Sequence, residues 1–248
     1  MTSYLLNQFI FSPDPKETFA PTPGPKDPSW DAETADLTGA VVINFAPGSK
    51  VGAAFAYLLR TERDSSKPGL IVGASSAISR PFVEGTGLYD VVVSTDEDPV
   101  AVFERLQLEG KMQPGAKIVV CDFGGRAGSA LHWVQALRTR RPGKSLVFLG
   151  IGTEISEGLG ANATEHMQAA ADAGRVTVNA DDMLQRAIVK VGPRAYYEGL
   201  NESYQNFKRN GIEGLKFRWG EGMEDVIKGW DRLARGEVGS DQALAFKV

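Results

Sequence analysis

The sequence predicts an α/β fold in which helices cover both faces of a doubly wound parallel sheet. Apolar segments of strand length alternate with helical segments from residue 40 to residue 152. The predicted strands are also continuous apolar runs, as expected of strands buried between two helical layers. We therefore expect residues 39–248 to form a single domain that ends in an extension of helix and strand.

The first five strand–helix units can be placed in order. The predicted strands are 40–45, 69–75, 89–94, 116–123 and 144–152. The predicted helices are 50–63, 80–85, 99–108 and 127–140. Beyond residue 152 we expect a loop and a helix, a sixth strand at 176–184, a helix at 195–210 that Gly211 ends, a strand at 214–219 and a last helix at 223–235.

Residues 1–38 differ from the rest of the chain. The stretch FSPDPKETFAPTPGPKDPSW holds six of the thirteen prolines. Because proline fixes φ and removes a donor, we expect this segment to be extended on the surface, anchored by Tyr4, Leu5, Leu6, Phe9 and Phe11. Ser29 then predicts the N-cap of a short helix.

Composition excludes several classes of function. The net charge of −4 argues against a general nucleic-acid binder. The single Cys121 rules out an intrachain disulfide, and two distant histidines with one cysteine argue against a structural zinc site, so we expect no metal. Because the chain has no basic signal region and no apolar run of about 20 residues, we expect a cytoplasmic protein without a membrane partner.

The segment AVVINFAPGSKVGAAFAYLLR reads as a strand, a turn and a helix, the Rossmann-like arrangement that holds a phosphate at a helix N-terminus. Ala46, Ser49 and Gly52 stand at the spacing usually filled by glycine. Gly48 could supply a positive φ, and Ser49 and Lys50 could bind a phosphate. Alternatively, the small residues merely let the helix pack on the sheet.

The end of the second strand favours NADP(H) if a dinucleotide binds. Sites that prefer NAD place a carboxylate here, whereas this chain has Ser75, Ser76 and Arg80 and no acidic residue before Glu84. Hydroxyls and a cation suit a 2′-phosphate. The alternative is a serine-rich turn that caps the next helix, with Arg80 exposed.

Three segments carry a resemblance that covers nearly the whole chain: GLIVGASSAISRPFVEGTGLYDVVVSTDED, SWDAETADLTGAVVINFAPGSKVGAAFAYLLR and VVCDFGGRAGSALHWVQALR. Together they resemble a microbial and fungal branch related to the medium-chain dehydrogenase/reductase superfamily, the quinone and enoyl reductases. The C-terminal DVIKGWDRLARGEVGSDQALAFKV is similar to the closing segment of such reductases.

The resemblance implies a cofactor crevice in which matching positions line the site. These positions are Ala46, Ser49, Lys50, Ser75, Ser76, Arg80, Asp122 and Gly124. Two departures from the family are expected to matter: the chain begins where a GroES-like substrate domain would already have ended, and the glycine fingerprint is reduced.

Three residues are candidates for catalysis. Asp122 ends the fourth strand and is the best-placed general base, although it could instead cap the next helix. His132 and Tyr197 lie on later helices, where packing is the alternative for each.

Three functions remain open from the sequence. The first is an NADP(H)-dependent reductase of an enone or ketone, in secondary metabolism. The second is a cofactor-free cyclase, isomerase or lyase that binds an apolar small molecule in the same cleft, and the third is a silent partner of another enzyme. We expect the crevice to be covered by a second copy in a homodimer, by the N-terminal segment or by the 153–180 region.

Overall fold

The computed structural model describes residues 1–22, 30–63, 66–140, 145–152, 159–211 and 213–248, with the backbone alone for 159–163. A six-stranded parallel sheet runs in the order β3-β2-β1-β4-β5-β6. Its strands are β1 Val41–Phe45, β2 Leu70–Ser75, β3 Val91–Ser94, β4 Ile118–Asp122, β5 Leu146–Gly150 and β6 Arg175–Thr177. The strand order reverses between β1 and β4, so a crevice opens at their carboxyl ends.

Helices cover both faces of the sheet, as the sequence predicts. They are α1 Thr2–Leu5, α2 Ala32–Ala35, α3 Lys50–Thr61, α4 Arg80–Gly85, α5 Pro99–Leu108, α6 Ser129–Arg138, α7 Leu159–Asp172, α8 Ala180–Val191, α9 Pro193–Asn210 and α10 Gly222–Ala234. One core layer holds Phe55 of α3, Met183 of α8 and Phe207 of α9. The opposite layer holds Phe103 of α5 and Trp133 of α6. Among the described helices, none combines the length and apolar character needed to cross a membrane.

The N-terminal segment corrects the expectation of an extended surface strand. Residues 2–10 are helical: α1 continues into a π-helical turn at Leu6–Ile10. Leu5, Leu6, Phe9 and Phe11 are buried in the core beside α3, while Tyr4 is half-buried. Residues 1–12 contain no proline, and their apolar side chains recur at helical spacing, so this stretch buries one helical face.

Local capping explains two further corrections. Ser29 lies outside the described residues, and Asp31 caps α2 by accepting a hydrogen bond from the Thr34 N–H at 2.9 Å. The predicted sixth strand is shortened to three residues, because Asn179 accepts from the Asp182 N–H and starts α8 where 180–184 were expected to continue the strand.

A second, two-stranded parallel sheet follows the main domain. Its strands are β7 Lys216–Glu221 and β8 Gln242–Lys247, and α10 connects them. We call residues 213–248 the C-terminal unit. It lies beside the carboxyl ends of the main strands and so completes the crevice described next.

Candidate functional site

A cavity of about 530 Å³ lies between the carboxyl ends of β1, β2 and β4 and the C-terminal unit. This volume is within the range of pockets that bind small molecules and cofactors. Of the nine residues expected at the cofactor crevice, seven line this cavity, while Arg80 and Asp122 are outside its described lining. The seven are Ala46, Gly48, Ser49, Lys50, Ser75, Ser76 and Gly124.

In the β1–α3 turn, two of the three positions usually filled by glycine carry other small residues, Ala46 and Ser49, and the third is Gly52. Ala46 takes a left-handed conformation with φ of 53°, at the position where a tight turn usually requires glycine. Ser49 caps α3 by accepting a hydrogen bond from the Gly52 N–H at 3.1 Å. A Cβ at Gly52 would lie 2.9 Å from the Ala46 carbonyl oxygen, so glycine is needed there for the helix to pack against the turn.

The N-terminus of α3 provides a positive end. The N–H groups of Lys50 and Val51, in the first turn, have no acceptor within the helix. The first turn contains no acidic residue, and the Lys50 side chain is exposed. A cation in a first turn opposes the helix dipole, and an anion bound there would reverse that penalty.

Tyr89 holds the β1–α3 turn in place through its hydroxyl group. Its hydroxyl donates to the carbonyl oxygen of Pro47 at 2.8 Å and lies 3.3 Å from that of Gly52. The buried Asn44 amide donates to the same Gly52 oxygen at 3.3 Å. Burial raises the pKa of Tyr89 far above its usual value, so this hydroxyl remains a neutral donor. Tyr89 is absent from the candidates of the sequence analysis, because its contact with the turn depends on how β3 lies beside β2 and β1.

The β2 end gathers hydroxyl groups and excludes Arg80. Ser75 is buried, Ser76 is exposed, and both line the cavity with Ser79. Arg80 is exposed outside the lining, where it pairs with Glu84 of α4 at 2.7 Å. This corrects its prediction as a cofactor ligand: at i,i+4 the carboxylate of Glu84 competes for the guanidinium.

Asp122 accepts hydrogen bonds within the turn after β4 and does not line the cavity. Its Oδ1 accepts from the N–H groups of Gly124 at 3.0 Å and Gly125 at 2.7 Å, and its Oδ2 lies 3.5 Å from Arg175. Asp122 is outside the described cavity lining. Because its oxygens are held by the turn and by Arg175, the geometry favours the capping alternative over a general base.

His132 and Tyr197 are not brought to the cavity, which corrects their assignment as catalytic residues there. His132 is exposed on α6, while its neighbours Trp133 and Val134 point into the core. Tyr197 is 54% exposed on α9 and packs edge-on against Tyr196. Neither belongs to the described lining.

Arg126 joins the β4 turn to the C-terminal unit. Its guanidinium donates to the carbonyl oxygens of Leu233 and Ala234, at the end of α10. A cation at a helix C-terminus stabilises the exposed carbonyl groups. Arg126 both lines the cavity and anchors α10 beside it.

The C-terminal unit supplies an apolar wall and covers Gly48, features the sequence analysis did not foresee. Leu215, Leu233, Val238 and Leu244 form the wall. A Cβ at Gly48 would collide with the Ser240 side chain, so the two residues are in direct contact. No local pattern around Ser240 signals this contact, because it depends on how β8 returns to the main domain.

The electrostatic character of the cavity is cationic. Among the described lining residues, Lys50 and Arg126 carry charge and none is Asp or Glu. Seven lining residues carry hydroxyls: Ser49, Ser75, Ser76, Ser79, Thr86, Thr95 and Ser240. Within the described residues, no group of three or more His, Cys, Asp or Glu side chains could hold a metal ion.

Comparison with known proteins gives distant structural similarity and a family. The crystal structure of CurA in complex with NADPH from Vibrio vulnificus is 11% identical, with a TM-score of 0.42, over 85% of this chain and 57% of that one. The native structure of mycobacterial Rv1454c complexed with NADPH is 15% identical, with a TM-score of 0.43, over 80% of this chain and 55% of that one. The chain thus spans less than two thirds of each.

No curated protein sequence matches the chain. Residues 1–239 match the family described as "Protein of unknown function (DUF2855)", and the chain belongs to that family.

Proposed function

We propose that this chain is an NADP(H)-dependent reductase of an enone or ketone small molecule. The observation that carries the proposal is the charge of the cavity, whose described lining holds Lys50 and Arg126 and no carboxylate. A dinucleotide with a 2′-phosphate carries several negative charges, so it is favoured by cationic and hydroxyl donors and repelled by acidic side chains.

The turn would supply hydrogen-bond donors for the diphosphate of such a cofactor. The N–H groups of Lys50 and Val51 would bind its oxygens, and Gly52 lets the helix start lie close to β1. The Lys50 ammonium would add a charge-assisted contact. Ser75, Ser76 and Ser79 would receive the ribose and its 2′-phosphate at the end of β2, where no carboxylate competes.

The apolar wall supports the substrate part of the proposal. Leu215, Leu233, Val238 and Leu244 would bind the hydrocarbon part of an uncharged substrate and exclude water from its carbonyl group. NADP(H), when bound, supplies the hydride. The residues of this chain would bind, orient and desolvate the two reactants.

Titration with NADPH, followed by its fluorescence, tests the proposal directly. We expect micromolar binding to the unmodified chain. Lys50→Ala should weaken binding roughly tenfold, since loss of a charge-assisted hydrogen bond costs about 1.5 kcal/mol.

Lys111→Ala is the matched control for this titration. Lys111 lies in the connection before β4, at the amino ends of the strands and therefore away from the cavity. It pairs with Glu109 at 2.8 Å. Its loss should leave NADPH binding unchanged. The absence of NADPH binding to the unmodified chain, or an equal loss in both variants, would contradict the proposal.

One observation favours a second candidate, a cofactor-free cyclase, isomerase or lyase. Ser240 lies against Gly48, on the turn that a diphosphate would have to approach. A compact apolar substrate against the leucine-rich wall would not need that space. Binding of apolar small molecules without any affinity for NADPH would favour this candidate.

A further inference from the structure

Residues 236–241, which we call the strap, lie across the β1–α3 turn. They connect α10 to β8, and four of them line the cavity: Gly236, Val238, Gly239 and Ser240. Ser240 is in van der Waals contact with Gly48. The strap therefore lies against the part of the cavity to which we assign the diphosphate.

The strap is tied to the main domain through Ser79. The Ser240 N–H donates to the Ser79 Oγ at 3.2 Å, and the Ser240 hydroxyl donates to the same oxygen at 3.0 Å. Asp241 pairs with Lys216 of β7 at 3.1 Å, which holds the strap to its own unit rather than to the main domain. Gly236 also lies close to Arg126, and Gly239 lies close to Ile78. Release of the two Ser79 hydrogen bonds would therefore remove the polar part of this attachment while β7 and β8 stay paired.

Glycines provide the backbone freedom that such a movement needs. Gly236 adopts φ of 76°, and Gly239 lies one residue before Ser240. Glycine passes between right- and left-handed conformations at little steric cost. The Ser79 contacts are neutral hydrogen bonds, which water can replace when the strap lifts.

We propose that the strap is a gate: Ser240 must leave Gly48 before a dinucleotide can enter the cavity, and the Ser79–Ser240 hydrogen bonds hold the gate shut. The proposal rests on the proposed function, because the ligand it admits is NADP(H). In the closed arrangement the apolar wall stays in place while Ser240 covers Gly48 of the β1–α3 turn.

A reversible disulfide tests the gate. In the double variant Ser79→Cys/Ser240→Cys, the side chains start from an Oγ–Oγ distance of 3.0 Å, close enough for a disulfide to form with small shifts. The one native thiol, Cys121, is buried and will not compete. We expect oxidation to weaken NADPH binding at least tenfold and reduction to restore it.

The single variant Ser240→Cys is the control, and oxidant should leave its NADPH binding unchanged. If the oxidised double variant binds NADPH as tightly as the reduced form, the gate is wrong while the proposed function stands. If the reduced variant and the unmodified chain both fail to bind, the proposed function fails and the gate no longer has a dinucleotide to admit.

A second readout examines the strap without any cofactor. The introduced thiol of Ser240→Cys is labelled with a thiol reagent. The labelling rate reports how often the strap leaves Gly48. Adding Ser79→Ala should raise that rate several-fold, whereas adding Ser94→Ala, at the end of β3, should not. An unchanged rate with Ser79→Ala would overturn the role of Ser79 in holding the gate.

Discussion

Ala46 carries backbone strain at the point where β1 meets the cavity. Its φ of 53° lies in the left-handed region, which costs a residue with a Cβ about 1–2 kcal/mol. Ala127 has the same φ in the turn after β4. Strained residues cluster where a backbone is held for binding, and these two flank the crevice where the strand order reverses.

Ala46→Gly should stabilise the fold by about 0.5–1 kcal/mol. Glycine adopts this φ without strain, although its greater freedom in the unfolded chain offsets part of the gain. Urea unfolding monitored by tryptophan fluorescence measures the change. Ala53→Gly, inside α3, should instead destabilise by about 1 kcal/mol. A loss of stability in Ala46→Gly would show that the turn is not strained.

Tyr196 is a fully buried side chain whose hydroxyl has no hydrogen-bond partner among the described residues. Burial, with smaller contributions from Tyr4 and Tyr197, raises the pKa of Tyr196 to about 12. An acid whose pKa is raised by folding contributes stability that is complete below its unfolded pKa of about 10. That stability is lost as the pH rises from about 10 to 12.

Tyr196→Phe should therefore change stability little at pH 7, because it removes a hydroxyl that makes no bond. It should reduce the loss of stability between pH 7 and pH 11, measured by urea unfolding at each pH. Tyr204→Phe, at an exposed position of the same helix α9, is the control and should leave the pH dependence unchanged. If Tyr196→Phe and the unmodified chain lose equal amounts of unfolding free energy between pH 7 and pH 11, this explanation is wrong.

At the scale of elements, the sequence correctly predicted the strands and helices that local residue patterns determine. The first five strands, and the helices between them, follow from apolar runs and caps, and seven predicted cofactor residues meet because parallel strands end at one edge. His132 and Tyr197 do not lie at the cavity, because helix orientation is set by packing that a single sequence does not display.

Long-range contacts account for the remaining differences. The N-terminal helix is held by the buried Arg63, whose guanidinium donates to Asn7 Oδ1 at 2.8 Å and to the carbonyl oxygen of Phe11. More than fifty residues separate these partners. Strand β8 and the Ser240 contact with Gly48 likewise depend on chain reversal after α10, which no local motif encodes.

Arg126→Ala should loosen the attachment of α10. It removes the donor to the Leu233 and Ala234 carbonyl groups at the helix end. We expect trypsin to cleave after Arg235 several-fold faster, as measured by mass spectrometry, because the strap opens more often. Arg140→Ala, which removes an exposed pair with Glu104, is the control. An unchanged cleavage rate would mean that Arg126 does not secure the unit.

At the scale of the whole molecule, one face of the small sheet in the C-terminal unit exposes two aromatic side chains. The helix α10 packs on one face of β7 and β8, where Gly220 lies against Phe246. Phe217 and Trp219 alternate with Gly220 and lie on the other face, 62% and 76% exposed, with their rings stacked at 6.3 Å. Such a pair exposes roughly 250 Å², well below the roughly 800 Å² per partner of a stable dimer.

The homodimer expected from the sequence therefore remains a proposal, and we expect weak self-association through Phe217 and Trp219. Light scattering should show a mean mass that rises with concentration, and Trp219→Ser should suppress the rise. Val189→Ser removes an apolar side chain that is 86% exposed on α8 and should have no effect. A stable dimer at low concentration, unaffected by Trp219→Ser, would place the interface elsewhere.

The outer strands of the large sheet are short: β3 has four residues and β6 has three. Few unpaired backbone groups are thus available at either border to template a foreign strand, which is how many proteins avoid edge-to-edge aggregation. At high protein concentration, the aggregation rate should accordingly depend far more on surface substitutions in β7 than on substitutions in β3 or β6.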